Sequence, residues 1–293
     1  MNRTVLVTGA SGKTGRRLVP QLLRRGLTVR AASRTGMPGV AAPGLQHVHF
    51  DWTKPDTYAS AVAGVDAIYL VAGDVTGDDL AEPAMQVGRL LAEADGSRVR
   101  RVVLLSALGV DQAPPGDPLR RIESAVENSG IPAVMVRPGA FMQNFSEPHW
   151  SMLDVGIRER DVVELPAGDS GVSWVSTQDI AAVAAAALTE DGHEGNGYTV
   201  TGGEALTMPD VIDHLRTATG RPIRHVDADE NAVRAALAAT GAAPAFAAYM
   251  ARMFVLALTT GAFGLVTDDV ATVTGRRPVT FAKYAASAAD VWR

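Results

Sequence analysis

The sequence predicts an α/β protein: a Rossmann-type, doubly wound parallel sheet with a smaller, mainly helical C-terminal substrate lobe. Three observations predict it. Apolar runs of strand length alternate with amphipathic segments of helical period from residue 5 to residue 136. The first run passes through Gly9, Gly12 and Gly15 straight into a helix. Beyond Phe141 the alternation loosens and alanine-rich helical segments take over.

Taken in order, Val5-Leu6-Val7 reads as a buried strand, and Gly9-Ala10-Ser11-Gly12-Lys13-Thr14-Gly15 leads into a helix with Leu18, Leu22 and Leu23 on its apolar face. A strand that turns through glycines into a helix builds an anion site. Gly9 allows the tight turn, Gly12 lets backbone N–H groups approach a pyrophosphate, and Gly15 lets helix and strand pack closely. The spacing is Gly-x-x-Gly-x-x-Gly rather than the commoner Gly-x-Gly-x-x-Gly.

Leu27 to Ala32 is the second strand and ends at Ser33-Arg34, about 20 residues past the loop, where a carboxylate ordinarily holds the ribose hydroxyls. Here Ser33 can hydrogen-bond and Arg34 can pair with a 2′-phosphate, so the expected cofactor is NADP(H). Val48-His49-Phe50 is a third strand, followed by Asp51-Trp52. That carboxylate can accept from an adenine amino group or cap the turn before a helix at Pro55–Ala63. Ala67 to Ala72 is the fourth strand, Asp79 to Ala94 a helix, and Val102 to Leu105 the fifth strand, ending at Ser106. Pro118 to Asn128 is a further helix, and Ala133 to Val136 the sixth strand, ending at Arg137-Pro138-Gly139.

Further on, Trp174-Val175-Ser176 precedes an alanine-rich helix from Ile180 to Leu188, with Thr177 or Asp179 near its start. Tyr198 to Gly202 is one more strand and Met208 to Thr219 a helix, and the chain is mostly helical from Ala232 on. The expected division is a cofactor domain over residues 1–145, with 172–202 returning to it, and a substrate lobe of 146–171 and 203–293. All cofactor-side candidates fall at carboxyl ends of strands, where ligands of doubly wound sheets bind.

Composition narrows the function. There is no cysteine, which excludes disulfides, thiol catalysis and cysteine-held metals. A net charge of −5 gives no electrostatic reason to expect nucleic acid or an anionic membrane as partner. The first apolar stretch is too short for a signal peptide. The apolar region 243–266 contains Arg252 and two glycines and falls short of a membrane span. No metal-ligand spacing is evident. A cytoplasmic monomer or homodimer with a small-molecule substrate is expected.

Together these residues resemble the NmrA-like group of atypical short-chain dehydrogenases/reductases. The resemblance rests on residues 5–15, Leu104-Leu105-Ser106, Glu123 ahead of Ser129-Gly130-Ile131-Pro132, and the run from Val136 to Asn144. Asp179-Ile180-Ala181 and Thr274 to Phe281 complete it. Members bind NADP(H) or NAD(H). Some reduce quinones, imines, enones or flavonoid-type substrates, and others are redox-sensing regulators without turnover. The resemblance places Gly9, Ser11, Gly12, Lys13, Thr14, Gly15 and Arg34 at the cofactor phosphates. It places Asp51 and Trp52 on the adenine side, Ala72, Ser106 and Pro138 on the nicotinamide side, and Phe141 and Asn144 at the start of the substrate pocket.

The chain departs from most short-chain dehydrogenases in its acid. Their Tyr-x-x-x-Lys pair is missing: the three lysines are Lys13, Lys54 and Lys283, and none lies four residues after a tyrosine. The helix from Pro118 offers Arg120, Arg121 and Glu123 instead. Ser106 and Glu123 are the remaining catalytic candidates, Ser106 against a plain polar strand end and Glu123 against a helix-surface charge. An electron-poor acceptor such as a quinone, an iminium, a conjugated enone or a polyketide-like aromatic needs little acid from the protein, because the cofactor supplies the hydride.

Phe145, His149 and Trp150 extend the expected pocket, although a lone histidine is more often structural. On the apolar segment from Ala245 to Leu258, Met250, Met253 and Phe254 read as pocket wall, and Val255 and Leu258 as core. The alternatives to a reductase are a redox sensor that binds NADP(H) and a partner, and a tailoring enzyme that retains the cofactor without net redox.

Overall fold

The computed structural model describes residues 3–36, 41–73, 78–94, 96 and 98–293. In chain order its elements are β1 (Thr4–Val7), α1 (Gly15–Arg24), β2 (Thr28–Ser33), β3 (Leu45–His49), α2 (Tyr58–Val62), β4 (Ala67–Leu70) and α3 (Glu82–Glu93). Next come β5 (Arg101–Leu105), α4 (Pro118–Glu127), β6 (Ala133–Pro138), α5 (Leu153–Arg160), β7 (Val162–Leu165) and α6 (Thr177–Thr189). The chain ends with β8 (Gly197–Val200), α7 (Met208–Thr219), β9 (Arg224–Asp227), α8 (Glu230–Ala239), α9 (Pro244–Thr259), α10 (Asp269–Thr274) and α11 (Phe281–Ala288).

Seven strands form one sheet in the order β3-β2-β1-β4-β5-β6-β8. Each neighbouring pair from β3 across to β6 is parallel, with Val5 opposite both Val29 and Ala67. This is the doubly wound order, and its switch point lies between β1 and β4. The central strands are apolar on both faces, as a sheet covered twice requires. Leu6, Ile68, Leu70, Val102 and Leu104 pack under α2, α3 and α4, and α1 packs with α6. Nearly every residue of α6 is buried, and its alanines let it lie close. Local signals fix the ends of α4: Asp117 accepts from the Leu119 and Arg120 amides at 2.9 and 3.1 Å, and Pro118 opens the helix.

The chain divides into two compact units. The first comprises residues 1–74, 81–138 and 177–199, and the second 75–80, 139–176 and 200–293. The boundaries expected at 145, 172 and 202 thus fall at 138, 177 and 199. The second unit has its own core, in which Phe145, Trp174, Phe281, Tyr284 and Trp292 meet edge to face and Trp292 Nε1 donates to the Phe145 carbonyl at 2.7 Å. It also holds a two-stranded parallel pair, β7 with β9, and the short helix α5. None of these three is expected from the sequence, because two four-residue strands and an eight-residue helix are too short to give a readable period. Helix α7 begins and ends where its sequence suggests, with a Thr207/Asp210 capping box and Gly220 in the left-handed region at its end. No single described helix is long and apolar enough to cross a membrane.

Candidate active site

The glycine loop leaves β1 through Thr8, whose buried hydroxyl accepts from the Val71 amide at 2.7 Å and lies 3.1 Å from the Val71 carbonyl. This ties the loop to the end of β4. Gly9 has φ +61°, where a Cβ is strained, and its carbonyl accepts from the Gly12 amide at 2.9 Å. A Cβ on Gly12 would stand 3.1 Å from that carbonyl, and one on Gly15 would run into the same carbonyl and the Ala10 Cα. Ser11 and Gly12 are exposed, Lys13 is half-buried, and Thr14 and Gly15 are buried at the helix start. Thr14 makes no side-chain cap to α1 among the described residues and the first turn carries no carboxylate, so neither offsets its positive end. Beneath the loop Tyr69 is fully buried, and burial pushes its hydroxyl well above the usual phenol range against a weaker pull from Thr14.

At the end of β2 the Ser33 hydroxyl is buried and has no hydrogen-bond partner among the described residues, while Arg34 projects into solvent. A buried hydroxyl without a partner costs about 1–3 kcal/mol, so one beside an exposed guanidinium fits a bound phosphoryl or ribosyl oxygen. Asp51 sits close enough to feel the Arg34 charge. Its Oδ1 accepts from the Thr53 amide at 3.0 Å and the Thr53 hydroxyl at 2.8 Å, and these bonds hold its carboxyl below the usual range. That is the turn-capping use of the side chain. Trp52 stacks edge-on to Phe50 and Tyr58, and a Cβ on Gly73 would meet its ring at 2.7 Å. Ala72 is half-buried just past β4. The cradle, the positive helix end and the orphaned Ser33 hydroxyl together fit a dinucleotide phosphate.

On the next strands, Ser106 follows β5 and Pro138 closes β6, with the Ser106 amide donating to the Val136 carbonyl at 2.8 Å. The Ser106 hydroxyl donates to Glu123 Oε1 at 2.6 Å. Glu123 was expected on the helix surface, and here it is 0% exposed. The physical reason is pairing. Arg137 donates from Nε to Oε1 at 2.8 Å and from Nη2 to Oε2 at 2.9 Å, and Arg120 Nη1 reaches Oε2 at 3.3 Å. A carboxylate can be buried only with such partners, since removing one costs about 3–5 kcal/mol. The bond to Glu123 in turn raises the Arg137 pKa, and Glu127 does the same for Arg120. The sequence names Ser106 and Glu123 as candidates, offers Arg120 on the same helix as Glu123 and places Arg137 at a strand end, but gives neither arginine its role as a partner of Glu123. The spacing of Arg120, Glu123 and Glu127 on one helix face was the available signal.

The candidates in the second unit separate into groups. Trp150 meets Phe254 edge-on at 4.8 Å and His149 at 4.9 Å, and Met250 packs into the same cluster around Ala247, Ala251, Val233 and Leu237. A cavity of about 210 Å³ opens beside Trp150, lined also by Met152, Arg160, Glu164 and Ala232. His149 Nδ1 lies 2.7 Å from the Ser151 hydroxyl. Phe141 is bridged to Val175, and Asn144 sits in the following 3-10 turn. Phe145 instead is wholly buried between Trp174 and Phe281, an interior residue rather than a pocket wall. Met253 is 41% exposed, while Met250 and Phe254 pack inward. Leu258 is core as expected, and Val255 is partly buried.

Residues 9–191 match the model of a family described as NAD(P)H-binding. The chain is 35% identical over 292 residues to the (4-alkanoyl-5-oxo-2,5-dihydrofuran-3-yl)methyl phosphate reductase of Streptomyces griseus subsp. griseus, covering 98% of this chain and 99% of that one. It is 32% identical to the NAD(P)H azoreductase of Xenophilus azovorans, covering 96% of each. Among solved structures it resembles the NADPH-dependent quinone oxidoreductase of Escherichia coli in complex with NADPH. That match has a TM-score of 0.79 and 23% identity, over 97% of this chain and 99% of the other.

Proposed function

We propose that the chain, which belongs to the NAD(P)H-binding family, is an NmrA-like, NADP(H)-dependent reductase of a small, apolar, electron-poor conjugated acceptor. The observation that carries the substrate class is the state of Ser106 and Glu123. The Ser106 proton is already given to Glu123, and both Glu123 oxygens are held by arginine. This pair is a poor proton donor to an alkoxide, so the acceptor must tolerate hydride addition without strong acid help. Quinones, enones, imines already protonated to iminium ions and polyketide-like aromatics do. The names of the relatives point the same way, describing an oxo-dihydrofuran, an azo and a quinone substrate.

In this reading Gly9, Ser11, Gly12, Lys13, Thr14 and Gly15 hold the pyrophosphate against the positive end of α1. Ser33 and Arg34 hold the 2′-phosphate, which selects NADP(H) over NAD(H). Asp51 and Trp52 border the adenine, and Ala72, Ser106 and Pro138 border the nicotinamide. NADPH, when bound, supplies the hydride. Phe141, Trp150, Met250 and Phe254 are the adaptable apolar side chains, and Asn144 and His149 the polar ones, proposed to contact a flat acceptor.

The test is to follow NADPH absorbance while the protein is offered a quinone, an azo dye, a conjugated enone, an iminium and a saturated ketone. Oxidation with the unsaturated acceptors and none with the ketone is expected. Tight NADPH binding without turnover on any of them would replace this reading with that of a redox-sensing binder.

A further inference from the structure

Ser106 is half-exposed at the carboxyl end of β5, the edge on which a doubly wound sheet binds its ligand. A serine hydroxyl has one proton and two lone pairs. Its proton points inward, to Glu123 Oε1 at 2.6 Å. Glu123 cannot return one, because the Arg137 fork occupies both of its oxygens from Nε and Nη2, and Arg120 adds a third donor. The arrangement therefore has a fixed direction: arginine donates to carboxylate, serine donates to carboxylate, and the half-exposed serine oxygen keeps only its acceptor capacity for a ligand.

We infer that Glu123 and Arg137 are positioning residues that make Ser106 Oγ a pure acceptor for the carboxamide N–H of the nicotinamide. This rests on the cofactor reading above and adds to it the group that fixes which way the nicotinamide ring turns. An outward acceptor matches the amide N–H and is mismatched to a carbonyl oxygen, whether that of the carboxamide or of the substrate. With its carboxamide held in one sense, the ring presents one face, and hydride leaves from one side of C4.

Calorimetric titration with NADP⁺ and its 3-acetylpyridine analogue tests this, since the analogue carries a methyl group where the carboxamide has its NH₂. The wild-type protein should bind NADP⁺ about fivefold to tenfold more tightly than the analogue, the span expected for one neutral hydrogen bond. Ser106→Ala should bring the ratio close to one by weakening NADP⁺ alone. Glu123→Gln puts an amide donor into the fork, frees Ser106 to turn its proton outward, and should also erase the preference. Arg137→Lys, which keeps a charge on Glu123, should retain part of it. A second readout is stereochemistry: NADPH deuterated on one face of C4 should pass label from one side only in the wild type and from both in Glu123→Gln. Should Glu123→Gln not fold, Ser106→Ala and Arg137→Lys carry the test.

A ratio unchanged in a folded Ser106→Ala protein overturns the proposal while leaving the cofactor site intact. A folded wild type that binds neither NADP⁺ nor NAD⁺ overturns the cofactor reading, and the proposal with it.

Discussion

The strand-end edge of the first unit and the aromatic part of the second use their residues in opposite ways. Along the edge, from Gly9 through Ser33 to Ser106, the groups proposed to bind the cofactor are backbone amides, a positive helix end and a few polar atoms. In the second unit they are large apolar side chains, and the same residue types build both the interior and the exposed surface. Phe145 and Phe254 are both phenylalanines near the expected pocket. One is completely buried between Trp174 and Phe281, and the other lies half-buried against Trp150. A site made of backbone geometry would be tied to local sequence, whereas one made of apolar surface would depend on what packs where.

The sharpest way to break that contrast is at Gly15. Gly15→Ala drives a methyl group into the Gly9 carbonyl and the Ala10 Cα, both backbone atoms that cannot rotate away. We expect cofactor titration to show no binding, together with a stability loss of about 1–3 kcal/mol, the range for overpacking. Normal affinity in this variant would mean that the loop's shape does not make the site.

Phe145→Ala and Phe254→Ala, made side by side, test whether the second unit divides as its burial suggests. The first removes a fully buried ring and should cost about 3–5 kcal/mol in chemical denaturation. The second should change stability less and raise the substrate KM about twofold to tenfold, from an aromatic contact worth about 0.5–1.5 kcal/mol, with NADPH affinity unchanged. If Phe254→Ala loses stability or breaks up an oligomer while KM stays constant, that helix is core or interface.

A substitution at the end of β2 sharpens the edge itself. Arg34→Asp should weaken NADPH binding by about 1.5–3 kcal/mol, the loss of one charge-assisted bond, and leave NADH nearly untouched. Fluorescence titration of both cofactors measures it, and tighter binding of NADH than NADPH by the wild type would contradict the assignment of Ser33 and Arg34.

Much of the fold was legible because its signals are short-range. The apolar run into Gly9, Gly12 and Gly15 specifies strand, turn and helix within about a dozen residues, and the Asp117-Pro118 and Thr207/Asp210 ends of α4 and α7 are set by neighbours in sequence. Strand alternation likewise implied the parallel sheet. Three features needed the tertiary structure. Strands β7 and β9 stabilise each other across about 60 residues of chain, and neither has a period of its own. The burial of Glu123 depends on Arg137 arriving from β6 and Ser106 from β5, and a carboxylate on an amphipathic helix reads as solvated until those donors are in place. The choice between wall and interior for Phe145 was settled by Trp174, Phe281 and Trp292, which lie between 29 and 147 residues away. Sequence by itself determines what each residue can offer and the local geometry that few neighbours enforce. Burial and the direction of a buried hydrogen bond belong to the assembled structure, because both are properties of distant partners brought to one point.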